Sequence, residues 1–328
     1  MMIGSEKLLP VLAVPAGHKG APIQMEDVKV IGFNVRPGWN ADTVAETLEA
    51  NIEAIGTKPK YLITDNDSKM RKAVKLAGYT WHRDISHTLA MFMERVYKDD
   101  VDFVGFNKKM ATCKKQYCMK DIAYLQSPSQ RIKARFMNLS DSVGWAATML
   151  QMFHKLSPHE REVFAFIPQY SSLIEELKEM VSYIHDVETE MKHNGLSKET
   201  IAICRRHIST TAMRGNDRMR KVGQQILGYL AEEDILLGNK EIVNNSSDII
   251  ESAFGMFKYK QSPNKLNGVT TLVLHLPVIL AFAGNSVSKS YNVKERLYRT
   301  KVKDIILWRN ENLIENLVAK RIKTFEAA

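Results

Sequence analysis

The chain has 328 residues, of which 45% are hydrophobic and 25% are charged, so it is long enough to bury one large hydrophobic core or two ordinary ones. This balance excludes an intrinsically disordered chain, which would carry too little apolar surface to fold. The formal net charge of +9 favours a negatively charged partner, although charge alone does not identify that partner.

Cysteine content and apolar segments indicate the compartment. The three cysteines are odd in number and lack the spacing of a metal site, so we expect reduced thiols in a cytoplasmic protein. The first residues lack the basic segment and apolar core of a secretory signal. The longest apolar run, 269–283, is interrupted by a histidine and a proline and is shorter than the roughly 20 residues of a membrane-spanning helix. We therefore expect no membrane segment.

The first part of the chain has the pattern of paired strands followed by a helix. Two β-rich runs, 7–15 and 28–35, are separated by a polar segment that contains glycine and proline. The next segment, 42–55, repeats apolar residues at a helical interval, with Asn40 near its start and Gly56 at its end. These signals predict two paired strands and then a helix.

The stretch 60–89 twice shows a buried-strand pattern that ends in acidic residues. A short apolar run ends at Asp65, and a helix is predicted directly after it. A second predicted strand, 79–85, contains Asp84 and is followed by His87. Because sites in open α/β sheets gather beyond the carboxyl ends of the strands, these polar residues are candidates for one site.

The pattern changes to helices with basic and polar faces from about residue 99 to residue 240. This region predicts an all-helical insertion. After residue 244 a further helix places Glu251 and Lys258 seven residues apart, on one helical face. The tail, 286–323, is predicted to be helical and basic.

The order of these motifs resembles that of DDE transposases from bacterial insertion sequences. Three segments carry the resemblance: Thr64-Asp65-Asn66 before a helix resembles the second catalytic aspartate, Asp84-Ile85-Ser86-His87 resembles the D-x-x-H element, and the helix with Glu251 and Lys258 resembles the helix that carries the third carboxylate. Each motif is weak alone, and their order and spacing strengthen the signal.

The resemblance implies an α/β fold of the ribonuclease-H-like type, which retroviral integrases share. Such a fold has a mixed sheet with flanking helices, here interrupted by a large all-helical insertion before the helix that carries the last carboxylate. The implied division is 1–98 for the first part of the catalytic core, 99–240 for the insertion, and 241–328 for the end of the core and the basic tail.

The resemblance also implies an activity, which is Mg²⁺- or Mn²⁺-dependent cleavage of DNA at transposon ends and transfer of the 3′-hydroxyl to a target. Two ions about 4 Å apart activate the attacking oxygen and stabilise the leaving oxygen, and carboxylates suit Mg²⁺. Asp65 and Glu251 would be the catalytic, metal-binding carboxylates. Asp84 and His87 would be supporting residues, and Lys258 would contact phosphate. The implied partners are duplex DNA and a second copy of the chain on that DNA.

One carboxylate of the family pattern has no recognised counterpart. The first catalytic aspartate would precede the run Glu6-Lys7-Leu8-Leu9, and residues 1–5 contain no acidic side chain. Glu26 and Asp27 lie at the start of a later strand, which is the wrong place. We therefore expect an N-terminally truncated form with little cleavage activity, and recovery of activity on upstream extension by one strand containing an aspartate.

Other interpretations of these residues stay open. Arg131, Lys133 and Arg135 are dense enough to predict a DNA-binding surface within the insertion, whereas a solvated helical face of mixed charge is the commoner explanation of such a run. Asp65 suits a helix cap or turn, and Lys258 suits a solvated lysine. Two further functions remain, namely a DNA-binding transposase remnant without chemistry and a ribonuclease-H-like nuclease without transposition.

Overall fold

A computed structural model of the chain describes residues 2–3, 6–15, 23–24, 27–129, 136–260, 270–282, 293–313, 322 and 324–326. The chain forms two compact units. The sheet unit contains the described residues up to His82 and those from Ser246 onward, and the helical unit is Arg83–Asn245. These boundaries lie at 82/83 and 245/246, whereas the sequence placed them at 98/99 and 240/241. The coarse prediction of a mixed α/β fold is confirmed.

Five strands form two small sheets among the residues that the structure describes. The strands are β1 (Met2–Ile3), β2 (Glu6–Ala13), β3 (Lys29–Arg36), β4 (Leu62–Thr64) and β5 (Trp81–Arg83). The first sheet has the order β1-β2-β3 and is antiparallel, and β4 and β5 form the second sheet. The two predicted strands at the start of the chain therefore pair as expected.

Fourteen α-helices account for most of the described chain, in addition to short 3-10 turns. They are α1 (Ala41–Ile55), α2 (Ser68–Leu76), α3 (Ile85–Tyr97), α4 (Val101–Tyr117), α5 (Leu139–Met152), α6 (Pro158–Val163), α7 (Phe166–Gln169), α8 (Ser171–Asn194), α9 (Lys198–Thr210), α10 (Asp217–Leu237), α11 (Asp248–Lys260), α12 (His275–Phe282), α13 (Val293–Arg299) and α14 (Val302–Asn312). None of these described helices combines the length and the apolarity that crossing a membrane requires.

The β2–β3 pair of the sheet unit lies between two layers of helices. Successive side chains of a strand point to opposite faces of the sheet. Leu9 and Val11 of β2 accordingly pack with residues of α1 and α2. Leu8 and Leu12 pack in a second cluster, with residues of α11 and α12. Both apolar faces of the sheet are therefore covered.

The first helices begin and end at residues that stabilise helix ends. Asn40 caps α1 in a reciprocal pair of hydrogen bonds with Thr43, and Gly56 ends that helix in the left-handed conformation at φ 68°. Asp67 caps α2 by accepting a hydrogen bond from the Lys69 N–H at 2.8 Å. Both helices lie where the sequence predicted them, because these signals are local.

The helical unit is built from α3 to α10. Its longest helix, α8, buries an apolar stripe that includes Leu177, Met180 and Val187. The chain enters and leaves this unit at neighbouring points, since the Ile85 N–H donates to the Asn245 carbonyl at 2.8 Å. The helical prediction for this region is confirmed for the residues that the structure describes.

Candidate functional site

Asp65 lies directly after β4, in an exposed turn that hydrogen bonds hold in place. Its Oδ1 accepts from the Asp67 N–H at 3.3 Å. The Thr64 hydroxyl donates to the Asp65 carbonyl oxygen at 2.9 Å and accepts from the Trp81 indole N–H at 2.8 Å. Because Asp67 caps α2, Asp65 does not have the cap role. Its carboxylate is therefore presented to solvent at the end of a strand.

Glu251 lies in the first turn of α11 and is exposed. The inner face of this helix is fixed by Ala253 and Phe257, each only 2% exposed. Lys258 is exposed on the outer face, and a side chain added at Gly255 would meet nothing within 4 Å. The outer face of α11 thus presents an acid, an open glycine and a base along about two turns. The predicted arrangement along this helix is confirmed.

Asp65 and Glu251 belong to the same compact unit, although a whole helical unit separates them in sequence. Asp65 follows the end of β4, Glu251 lies in the first turn of α11, and both residues are exposed. Their joint role as metal-binding carboxylates stays a prediction.

Asp84 and His87 belong to the helical unit. Asp84 is fully buried and caps α3, since its carboxylate accepts from the His87 N–H at 2.8 Å. Its carbonyl oxygen accepts from the Thr88 hydroxyl at 2.6 Å. Asp84 therefore orients the first turn of α3, and the supporting role of both residues in catalysis stays a prediction.

Sequence reasoning missed a buried polar cluster around Asp84. Arg83 stacks over the Tyr229 ring at 4.7 Å from its centroid, and its Nε lies 3.8 Å from a carboxylate oxygen of Glu233, which is fully buried. Burial, with Glu233 as the second cause, raises the pKa of Tyr229 well above its ordinary value. The sequence feature that could have revealed this cluster is Glu233, which lies within the apolar stripe of α10.

The remaining predicted contacts with DNA are described only in part. Lys258 is exposed, as a phosphate contact requires. Arg131, Lys133 and Arg135 lie outside the described residues.

The donor atoms at Asp65 and Glu251 suit a hard divalent cation. Carboxylate oxygens are the ligands that Mg²⁺ prefers, and the ion usually keeps several waters, so two carboxylates are a partial but chemically suitable ligand set. Within the described part of the chain no group of three or more His, Cys, Asp or Glu residues is arranged to hold a metal ion. A metal ion shared by Asp65 and Glu251 stays a prediction.

No model of a known protein family matches this chain, and no curated protein sequence matches it significantly.

Proposed function

We propose that the chain is the catalytic core of a DDE transposase of the bacterial insertion-sequence type. The observation that carries this proposal is that Asp65 and Glu251 fold into one compact unit and expose their carboxylates. The intervening helical unit would be the insertion that separates the second and third carboxylates of such enzymes. The substrate would be duplex DNA.

The element order of the sheet unit supports a ribonuclease-H-like arrangement. An antiparallel pair, β2 and β3, is followed by a helix, a strand, a second helix and a second strand. The helix with Glu251 comes after the helical unit and packs against the same antiparallel pair. Among the described residues these strands form an antiparallel sheet of three and a separate sheet of two, so a single mixed sheet stays part of the proposal.

The chemistry would divide among three side chains. A bound pair of Mg²⁺ ions supplies activation of the attacking oxygen and stabilisation of the leaving oxygen at a phosphodiester. Asp65 and Glu251 would hold these ions through carboxylate oxygens. Lys258 lies seven residues after Glu251, about 10.5 Å along the helix axis, so it would bind a backbone phosphate beside the one that is cleaved. The hydrogen-bonded turn at Thr64 keeps the Asp65 carboxylate in place.

Cleavage by this chain would be slow, since the motif pattern includes a first aspartate that we do not recognise among its residues. A plasmid-nicking assay with Mg²⁺ compares the chain with its Asp65→Asn variant. Efficient nicking by residues 1–328 that survives Asp65→Asn would contradict the proposed site.

Metal binding provides a test that does not depend on cleavage. We expect Mn²⁺ binding, measured by electron paramagnetic resonance, to weaken at least tenfold in both Asp65→Asn and Glu251→Gln. The matched control is Asp67→Asn, which removes an exposed carboxylate two residues away but keeps a good helix cap. Equal Mn²⁺ affinity in all three variants would refute the assignment of the two carboxylates.

A DNA-binding remnant is the second candidate, and the lack of a recognised first aspartate favours it. Such a protein would bind DNA without an Asp65-dependent metal site. A ribonuclease-H-like nuclease would instead cut without preference for particular DNA ends. Comparing cleavage of DNA that flanks the gene with cleavage of unrelated DNA separates this third class.

A further inference from the structure

Part of the positive charge of the helical unit lies on α4 and directly after it. Between Phe103 and Lys120 the chain has five lysines and no acidic residue. The longer helix α8, in the same unit, contains six acidic residues and two lysines. The net charges of α4 and α8 therefore have opposite signs, and no acidic residue interrupts the lysines of α4, which is not the mixed pattern of an ordinary solvated face.

The packing of α4 aligns part of this charge on the outer surface. Phe106 and Met110 are each 2% exposed and fix the inner face. On the opposite face, Lys108, Thr112 and Lys115 are exposed at positions i, i+4 and i+7. Lys108 and Lys115 are about 10.5 Å apart along the axis, with a hydroxyl between them. Lys109 is also exposed and borders this line.

Most of these lysines are not used to stabilise the unit. Lys114 and Lys120 are exceptions. The Lys114 ammonium donates to the Ser127 carbonyl at 2.7 Å and to the Ser129 hydroxyl at 3.0 Å, and the Lys120 ammonium lies 4.7 Å from the centroid of the Tyr117 ring. Within the described part of the chain, Lys108, Lys109 and Lys115 form no ion pair. The acidic residue on α4 itself, Asp102, lies 3.9 Å from Arg218.

We propose that the α4 lysine face, defined as Lys108, Lys109, Thr112 and Lys115, binds the phosphate backbone of duplex DNA. The face offers three ammonium groups and a hydroxyl, which contact phosphates without reading bases. Its charge complements a polyanion, and the choice of DNA rests on the proposed function. The face lies in the helical unit, so its role is to hold the substrate rather than to perform chemistry.

Salt dependence gives this proposal a quantitative form. Each phosphate that a lysine neutralises contributes about −0.9 to the slope of log affinity against log salt concentration. Replacing three contacting lysines should therefore make the slope less steep by about 2.7. The corresponding loss of affinity at 0.1 M salt is on the order of a hundredfold or more.

The test compares two triple variants with equal charge. The first replaces Lys108, Lys109 and Lys115 with Gln, which retains helix propensity. The control replaces three exposed lysines outside α4 with Gln, namely Lys98, Lys155 and Lys178. Binding to a 20-base-pair duplex is measured by fluorescence anisotropy from 50 to 200 mM salt without divalent ions, and circular dichroism checks the fold.

We expect the α4 variant to bind DNA more weakly and with a less steep dependence of log affinity on log salt concentration. In the control the slope should change by less than 1. Equal effects of the two triples, or an unchanged slope in the α4 variant, would overturn the proposal. Tighter binding to double-stranded RNA of the same length would overturn the assignment to DNA.

The outcome separates this inference from the proposed function. If Mn²⁺ binding depends on Asp65 but the salt slope of DNA binding does not depend on the α4 lysines, the proposed catalytic site is supported and the α4 surface is refuted. If DNA binding depends on the α4 lysines but Mn²⁺ binding does not depend on Asp65, the α4 surface is supported and the proposed catalytic site is refuted.

Discussion

A buried network of charged residues lies within the helical unit, and substitutions in this network should destabilise the unit most. Glu176 is 6% exposed and accepts hydrogen bonds from the Arg218 Nε and Nη2 at 2.8 Å each, from the Tyr97 hydroxyl at 2.6 Å and from the Asn216 amide at 2.6 Å. Arg218 also donates to Asp100 at 2.7 Å. Burial and the bond to Glu176 raise the pKa of Tyr97 above its ordinary value. The network joins α3, α8 and α10 with the start of α4.

Replacing Arg218 with Met should destabilise the helical unit by about 3 kcal/mol. Loss of one partner from a buried ion pair costs about 3–5 kcal/mol, because the remaining charge stays buried without compensation. The lower value applies since the Arg218 side chain is 25% exposed. Adding Glu176→Gln should recover part of the loss, with a coupling of about 1–3 kcal/mol between the two sites.

Urea unfolding combined with hydrogen exchange of peptides from α8 and α10 measures this effect within the unit. The control is Arg220→Met two residues away, since the Arg220 side chain is 45% exposed and pairs with exposed Asp217 on the surface. That change should cost no more than about 1 kcal/mol. If Arg218→Met cost no more than Arg220→Met, the reasoning about the buried carboxylate would be wrong.

Three further outcomes follow from the helical unit. Asp84→Ala should lower the free energy of unfolding by about 1–2 kcal/mol and Asp84→Asn by less, in urea titrations, because Asn also caps the Ile85–Tyr97 helix. A thiol reagent should modify exposed Cys118 rapidly in the folded chain, whereas Cys113 and Cys204 are buried and should react only on unfolding. Burial raises the pKa of the Cys204 thiol to about 12 from 9.0, so unfolding releases its proton above pH 9. The free energy of unfolding should therefore fall between pH 9 and 12, and Cys204→Ala should reduce that fall in urea titrations at pH 7, 9 and 10.

Features that depend on local chemistry could be predicted from the sequence. The helices after Asn40 and Asp67 begin and end where caps and glycines require it. The predicted strand 79–85 is shorter, at Trp81–Arg83, because both of its ends are used by helices. The Tyr79 N–H donates to the last turn of α2, and Asp84 caps α3. Competition of this kind between neighbouring elements is not visible in residue patterns.

Tertiary pairs were beyond sequence reasoning. Arg218 and Glu176 are 42 residues apart and meet because α3 and α9 each pack against both α8 and α10, which no local pattern specifies. The grouping of Asp65 with Glu251 could be proposed from the sequence, unlike these tertiary pairs, because it rests on the order of the motifs along the chain. Their placement in one unit agrees with that order.

The joined ends of the helical unit bear on the order of folding during synthesis. The sheet unit needs α11 to cover β2 and β3, yet roughly 160 residues are made between the two parts. Closing so long a flexible loop costs about 3.5 kcal/mol more than closing one of a few residues, by the logarithmic dependence on loop length. The Ile85–Asn245 hydrogen bond holds the two ends of the helical unit close together. A helical unit that folds first therefore removes most of this cost. Cotranslational folding should then proceed from the middle of the chain outward.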